Sequence, residues 1–151
     1  MSTTKIDFAV IEDLKGKDLG FTEYRTVTQE QVDTFADAAD DHQWIHTDPE
    51  RAKDGPFGGP IAHGFLTLSL AIPFWTELLE VSGVATKINY GLDKVRFPAP
   101  VRVGARIRMS ATISDVIVLP GGVQLEVDQV IEIEDGPKPA VVARGLYRFY
   151  A

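Results

Sequence analysis

From Ile61 to about Val81 the chain is apolar nearly all round: Ile61, Ala62, Phe65, Leu66, Leu68, Leu70, Ala71, Ile72, Phe74, Trp75, Leu78, Leu79 and Val81. A helix without a polar face has to be buried on every side, in a protein core or in a bilayer. His63, Pro73 and Glu77 interrupt the run below the ~18 continuous apolar residues that a membrane span needs. The prediction is therefore a buried core helix over Ile61–Val81, with no membrane insertion. Pro60 suits its first turn. Pro73 should kink the helix or divide it in two, because proline lacks the N–H and its ring clashes with the preceding turn.

Such a helix needs a sheet to cover it, and the C-terminal half has the pattern for one. Ala105, Ile107, Met109, Ala111 and Ile113 alternate with Arg106, Arg108, Ser110, Thr112 and Ser114, the period of a half-buried strand. Pro120-Gly121-Gly122 turns the chain into Val123, Leu125 and Val127. Ile131 and Ile133 alternate with Glu132 and Glu134, Asp135-Gly136-Pro137 turns again, and Ala140 to Tyr150 makes the last strand. Upstream, a strand-like segment from Phe21 to Val27 leads into a helix opened by a capping box, Thr28 with Gln31 three residues on. Val32, Phe35, Ala36 and Ala39 form its apolar stripe, and it should end near Asp41. From His42 to Gly59 the chain reads as irregular. The expected class is α+β, one buried helix against a predominantly antiparallel sheet. The 151 residues fit one domain, 1–151, large enough to bury a core without a staple. The absence of cysteine removes thiolate zinc sites, disulfides and a cysteine nucleophile.

All three histidines fall in one segment of 25 residues, Asp40 to Gly64, together with several carboxylates and a Gly-rich turn. Histidine is the side chain best suited to proton transfer near neutral pH. Asp41 and His46 are five residues apart, which on a continuous helix is about 140° net, so they would face apart. They can converge only if the chain leaves the helix between them, and a helix ending at Asp41 allows that. The alternative is a surface loop rich in Asp and His. His42 and His46 at i, i+4 with Asp41 and Asp48 nearby have the look of a metal site, but the helix should be ending there, and no metal is expected. His63 reads as a hydrogen-bonded histidine shaping a helix entrance.

The net charge of −7 argues against broad nucleic-acid binding. Met1 to Leu14 has scattered charges and no apolar signal-peptide core, which predicts a cytoplasmic protein. Between Lys87 and Arg108, however, lie six basic residues (Lys87, Lys94, Arg96, Arg102, Arg106, Arg108) against one acidic, Asp93. This local excess of +5 is either an anion site or a solvated strand face, and strand alternation would put Arg102, Arg106 and Arg108 on one face.

The two-part run D-H-Q-W-I-H-T-D-P-E-R-A and F-G-G-P-I-A-H-G-F-L resembles the signature of the MaoC-like, R-specific enoyl-CoA hydratases, a branch of the hotdog superfamily. It is similar in particular to the short single-hotdog bacterial members, including the nodulation-protein-N-like ones. The resemblance continues through N-Y-G-L-D-K-V-R-F-P-A-P-V-R-V-G. It implies a hotdog fold, a homodimer with sites near the subunit interface, and reversible hydration of a trans-2-enoyl-CoA to an (R)-3-hydroxyacyl-CoA without a cofactor. On that resemblance Asp41 and His46 are the catalytic pair, and the Gly64 backbone N–H meets the thioester carbonyl. The family's Asn-Pro is replaced by Gln43-Trp44, and Gln43 offers an amide from one methylene further out. Gln43 and His63 are the further substrate contacts expected near the reacting carbons. Arg96 and Arg102 are expected on the CoA phosphates, since Arg suits bidentate phosphate contact. The rival readings are a hotdog acyl-CoA thioesterase and a non-catalytic acyl-CoA-binding or regulatory module.

Overall fold

A computed structural model describes residues 2–151. In chain order these form β1 (Thr4–Asp7), a 3-10 segment (Phe8–Leu14), β2 (Asp18–Phe21), β3 (Arg25–Thr26), α1 (Gln29–Ala39), α2 (Trp44–Thr47), α3 (Pro49–Ala52), α4 (Gly64–Ser69), α5 (Ala71–Leu78), β4 (Leu79–Ser82), β5 (Thr86–Arg96), β6 (Arg106–Leu119), β7 (Gly122–Ile133) and β8 (Val141–Tyr150). The main sheet runs β2-β6-β7-β8-β5, antiparallel at every step, with β3 also paired to β6. A small parallel pair, β1 with β4, stands apart.

Strand alternation sorts the sheet's two faces. Ile107, Met109, Ala111 and Ile113 of β6 and Val141, Ala143, Tyr147 and Phe149 of β8 are buried in one cluster with Phe74 and Leu78 of α5. Phe74 and Leu78 are 0 % exposed, so truncating either to alanine would cost about 2–5 kcal/mol. The opposite face carries ion pairs between strands: Arg106 with Glu134, Arg108 with Glu132, and Arg144 with Asp128.

The buried helix is shorter than its apolar run and divided. It begins at Gly64, because the N–H groups of Ile61 and Ala62 are already committed to Ile45 O (2.9 Å) and Val101 O (2.8 Å), and Ile61 bridges Arg102 in extended conformation. Pro60 accordingly lies outside it, its carbonyl accepting from Val103 N–H. The division falls at Leu70, which places Pro73 in the first turn of α5, where the missing N–H is tolerated. After Leu78 the chain turns to strand: Leu79 and Val81 are buried while Glu80 and Ser82 are exposed, a period of two hidden in the tail of the apolar run.

Three further expectations are corrected. Phe21–Val27 is not one strand but the end of β2 and, separately, β3. The stretch His42–Gly59 contains two helical turns, α2 and α3, the second capped by Asp48, whose carboxylate accepts from Arg51 N–H at 3.1 Å, with Pro49 in its first position. Arg102 does not share a strand face with Arg106 and Arg108: it precedes the turn at Gly104, where φ is 94°. The edge strand β5 is not among the expected strands, although Ile88, Tyr90 and Leu92 alternate with Asn89, Gly91 and Asp93; nearly every residue in it is exposed.

Candidate active site

Helix α1 starts as its capping box demands, Thr28 Oγ1 accepting from Gln31 N–H at 3.2 Å, and ends at Ala39. Asp40 then adopts the left-handed conformation (φ 54°, ψ 41°), its N–H bonded to Ala36 O. Aspartate tolerates that region better than most residues. The N–H of Asp41 also reaches Ala36 O, at 3.0 Å, so the chain leaves the helix axis at Asp41. The turn of α2 follows, tied back to the start of α1 by Gln29 Nε2–H donating to His46 O at 2.8 Å.

This exit brings Asp41 and His46 together, as their spacing required, and adds His63 from the segment before α4. One ligating atom from each of the three lies within 4.8 Å of the others. His46 and His63 are buried and Asp41 is exposed. The two imidazole rings stack, with centroids 3.8 Å apart and planes 24° from parallel.

The hydrogen bonds assign both tautomers, because a carbonyl can only accept. His46 Nδ1 lies 2.7 Å from Ile61 O and therefore carries the proton, leaving Nε2 bare. His63 Nε2 lies 2.9 Å from Asp41 O and is the protonated nitrogen there, leaving a buried Nδ1 without a partner. Burial holds His46 below the ordinary imidazole pKa. The Ile61 carbonyl and the Asp41 carboxylate pull the other way, and the neighbouring His63 ring adds to the lowering. His46 is thus a neutral base at pH 7. Among the described residues these three side chains could together hold a cation, each imidazole retaining one nitrogen for it.

Gly64 opens α4. The first bond of the helix runs from Thr67 N–H to His63 O at 3.1 Å, and His63 makes no side-chain cap. The N–H groups of Gly64, Phe65 and Leu66 therefore have no helical acceptor. Phe97 lies over Gly64: a Cβ there would sit 3.2 Å from two ring carbons. A cleft of about 290 Å³ runs between these elements, lined by His46, Ile61, Gly64, Thr67, Phe97 and Val101 among others. A second cleft, of about 300 Å³, lies between α4–α5 and β5, with Phe65, Leu68, Ile72, Leu92 and Tyr147 in its walls. Phe65 and Phe97 meet edge to face between the two, centroids 6.3 Å apart.

The remaining expected residues lie further out. Gln43 is exposed, and its backbone N–H, not its amide, points at Asp41 Oδ1 at a long 3.5 Å. Arg96 and Arg102 flank the 97–101 segment that walls the cleft, both exposed. Arg96 Nη1–H donates to Val95 O at 2.7 Å, and Arg102 Nη2–H to Gly58 O at 2.8 Å. A Cβ on Gly59 would come within 2.6 Å of the Arg102 guanidinium, so the Gly58-Gly59 pair is what admits that side chain. The +5 run does not act as one site: Arg106 and Arg108 are paired with Glu134 and Glu132 on the sheet's outer face. His42 turns away to Asp37 at 2.8 Å, which raises its pKa, so the His42–His46 metal spacing is not realised. Trp44 has the Arg51 guanidinium 4.3 Å from its ring centroid. Nothing along the chain signals Phe97 over Gly64 or the Ile61 carbonyl that sets the His46 tautomer, because both come from distant positions.

Residues 11–133 match the MaoC like domain family. The chain is 50 % identical over 137 residues to the 3-hydroxyacyl-thioester dehydratase Z of Mycobacterium tuberculosis, covering 90 % of this chain and 91 % of that protein. It is 39 % identical over 142 residues to nodulation protein N of Rhizobium meliloti, covering 92 % and 88 %. Among solved structures it resembles an Archaeoglobus protein named as a monoamine oxidase regulatory protein, with a TM-score of 0.77 at 27 % identity, over 99 % of this chain and 98 % of that one. The antiparallel sheet packed on a central helix is a hotdog fold, and the chain belongs to the MaoC-like dehydratase family.

Proposed function

We propose that this protein interconverts a trans-2-enoyl thioester and an (R)-3-hydroxyacyl thioester by adding or removing water, with Asp41 and His46 as the proton-handling pair. The observation that carries the reading is a His46 imidazole, neutral at pH 7 with Nε2 bare, that lines a cleft together with Gly64 and has a ring nitrogen within 4.8 Å of an Asp41 carboxylate oxygen. The name of the mycobacterial relative, a 3-hydroxyacyl-thioester dehydratase, supports the same chemistry.

In the hydration direction, His46 Nε2 and Asp41 hold one water. His46 takes a proton as the water oxygen bonds to C3, and the C2–C3 π electrons move onto the thioester carbonyl oxygen. The Gly64 N–H, unpaired at the start of α4, donates to that oxygen as its charge grows. The pair then returns a proton to C2 on the same face, and the carbonyl re-forms. General base and general acid steps typically contribute ~10²–10⁴-fold each. His46 can serve in both directions because Ile61 O keeps its Nδ1–H in place while Nε2 gains and loses the proton.

Arg96 and Arg102 flank the 97–101 segment that walls the cleft and are the residues we assign to the phosphates of a CoA carrier; each guanidinium keeps further N–H donors beyond its one bond. Strand β5 is a long exposed edge carrying Ile88, Tyr90 and Leu92. Such an edge is normally covered or paired, which supports a homodimer joined along it. The test is loss of the enoyl-thioester absorbance with crotonyl-CoA and with a longer enoyl-CoA. Loss without release of free CoA is the expected result. Release of CoA would make the protein a thioesterase, and no change with either substrate would make it a binding module.

A further inference from the structure

His63 takes no proton in that scheme, yet it is 3 % exposed and touches both members of the pair. The Asp41 carboxylate is weakly held: it is exposed, and its recorded bond, from Gln43 N–H, is 3.5 Å long. What sets its place is the Asp41 main chain, whose N–H is anchored on Ala36 O and whose C=O accepts from His63 Nε2–H at 2.9 Å. His46 is fixed at its edge by Ile61 O and across its face by the His63 ring, 3.8 Å away. His63 is in turn held by Phe35 of α1, centroids 4.9 Å apart and planes tilted by 54°.

We propose that His63 is a positioning residue that sets the Asp41 carboxylate against the His46 imidazole, through one hydrogen bond to the Asp41 carbonyl and through the face of its ring. The kinetic arm of this proposal rests on the hydration reading; its structural arm does not. Phenylalanine would supply the face without the donor, and glutamine would supply an Nε2 donor without the face. Imidazole does both, at the cost of a buried Nδ1 with no partner, an arrangement that proteins otherwise avoid. A residue kept only to fill space would not need to carry that unpaired atom.

With His63 replaced, either the Asp41 main chain loses the bond to its carbonyl or the His46 ring loses the face it packs on, and the carboxylate and the imidazole should draw apart. A residue that only fills space could be exchanged for one of similar volume with their separation unchanged.

Three experiments decide the matter. In the wild-type protein, nitrogen-15 NMR of the three imidazoles should find His46 protonated at Nδ1 and His63 at Nε2. His63 protonated at Nδ1 would break the proposed bond to Asp41 and overturn the proposal, whatever the variants do. In His63→Gln and His63→Phe, the first keeping the donor and the second the ring, the NMR contacts between the Asp41 β protons and the His46 ring should weaken relative to the wild type. For enoyl-CoA hydration, kcat should fall about tenfold or more in each, the size expected of slightly misplaced reacting groups, while KM changes less. Folded variants in which those contacts and kcat are both unchanged would overturn the proposal. Absence of hydration by the wild type would defeat the functional reading alone, since the NMR arms still decide the role of His63.

Discussion

Replacing His46 by asparagine separates the chemistry of the site from its structure. The asparagine amide nitrogen overlays Nδ1, so the donor to Ile61 O, 2.7 Å away in the native protein, is kept and that buried carbonyl is not orphaned. Orphaning it would cost about 1–3 kcal/mol. The losses are the stack on His63 and the bare Nε2. The structural penalty should therefore be small, on the order of 1 kcal/mol, within the usual range for a point substitution. The catalytic penalty should be large: a general base typically contributes ~10²–10⁴-fold. At about 1.4 kcal/mol per decade, this is roughly 3–5 kcal/mol of transition-state stabilisation. The assay is the initial rate of enoyl absorbance loss at saturating crotonyl-CoA, alongside a thermal melt by circular dichroism. A variant that melts with the wild type and hydrates within threefold of it would refute the assignment of Nε2 as the base.

Asp41→Asn should lower kcat by about 10²-fold or more, and the double variant with His46→Asn should lose little beyond either single change, because the two act as one unit. Because burial lowers the His46 pKa, the neutral base persists to more acidic pH than an ordinary imidazole would, so kcat/KM for hydration should hold through pH 6.5 and fall only below it; a midpoint above 6.5 would contradict the assignment. Arg96→Glu should raise KM for the CoA thioester several-fold with a smaller change in kcat, and salt should weaken wild-type binding through screening; an unchanged KM would move the carrier elsewhere. Sedimentation at micromolar concentration should give twice the chain mass, and Leu92→Asp on the β5 edge should lower it toward one; a monomeric wild type would refute the dimer.

The parts of the molecule legible in the sequence are those set by neighbours along the chain. A strand turns its side chains with period two and a helix with period near 3.6, so the alternation in β6 and the stripe in α1 announced themselves. Thr28 and Gln31 marked a helix start, and the spacing of Asp41 and His46 let them meet only across a break in the helix, which Asp40 makes. The Asp-His and His-Gly motifs carried the family without any coordinates.

What only the tertiary structure decided depends on atoms brought from elsewhere. The apolar run begins as a strand-like bridge and not a helix because Ile45 and Val101 claim the N–H groups of Ile61 and Ala62. That Ile88, Tyr90 and Leu92 of β5 stay exposed despite their alternation follows from the strand's place at the edge of the sheet. Arg106 and Arg108 dropped out of the basic run because Glu134 and Glu132 lie across from them on β7 and just past its end, a pairing set by sheet register. The tautomer and the lowered pKa of His46, and its contact with His63, follow from a carbonyl 15 residues away and a ring 17 residues away. Backbone periodicity is a property of the local chain, whereas protonation and ion pairing are set by what lies within a few ångströms in space, and folding alone determines that.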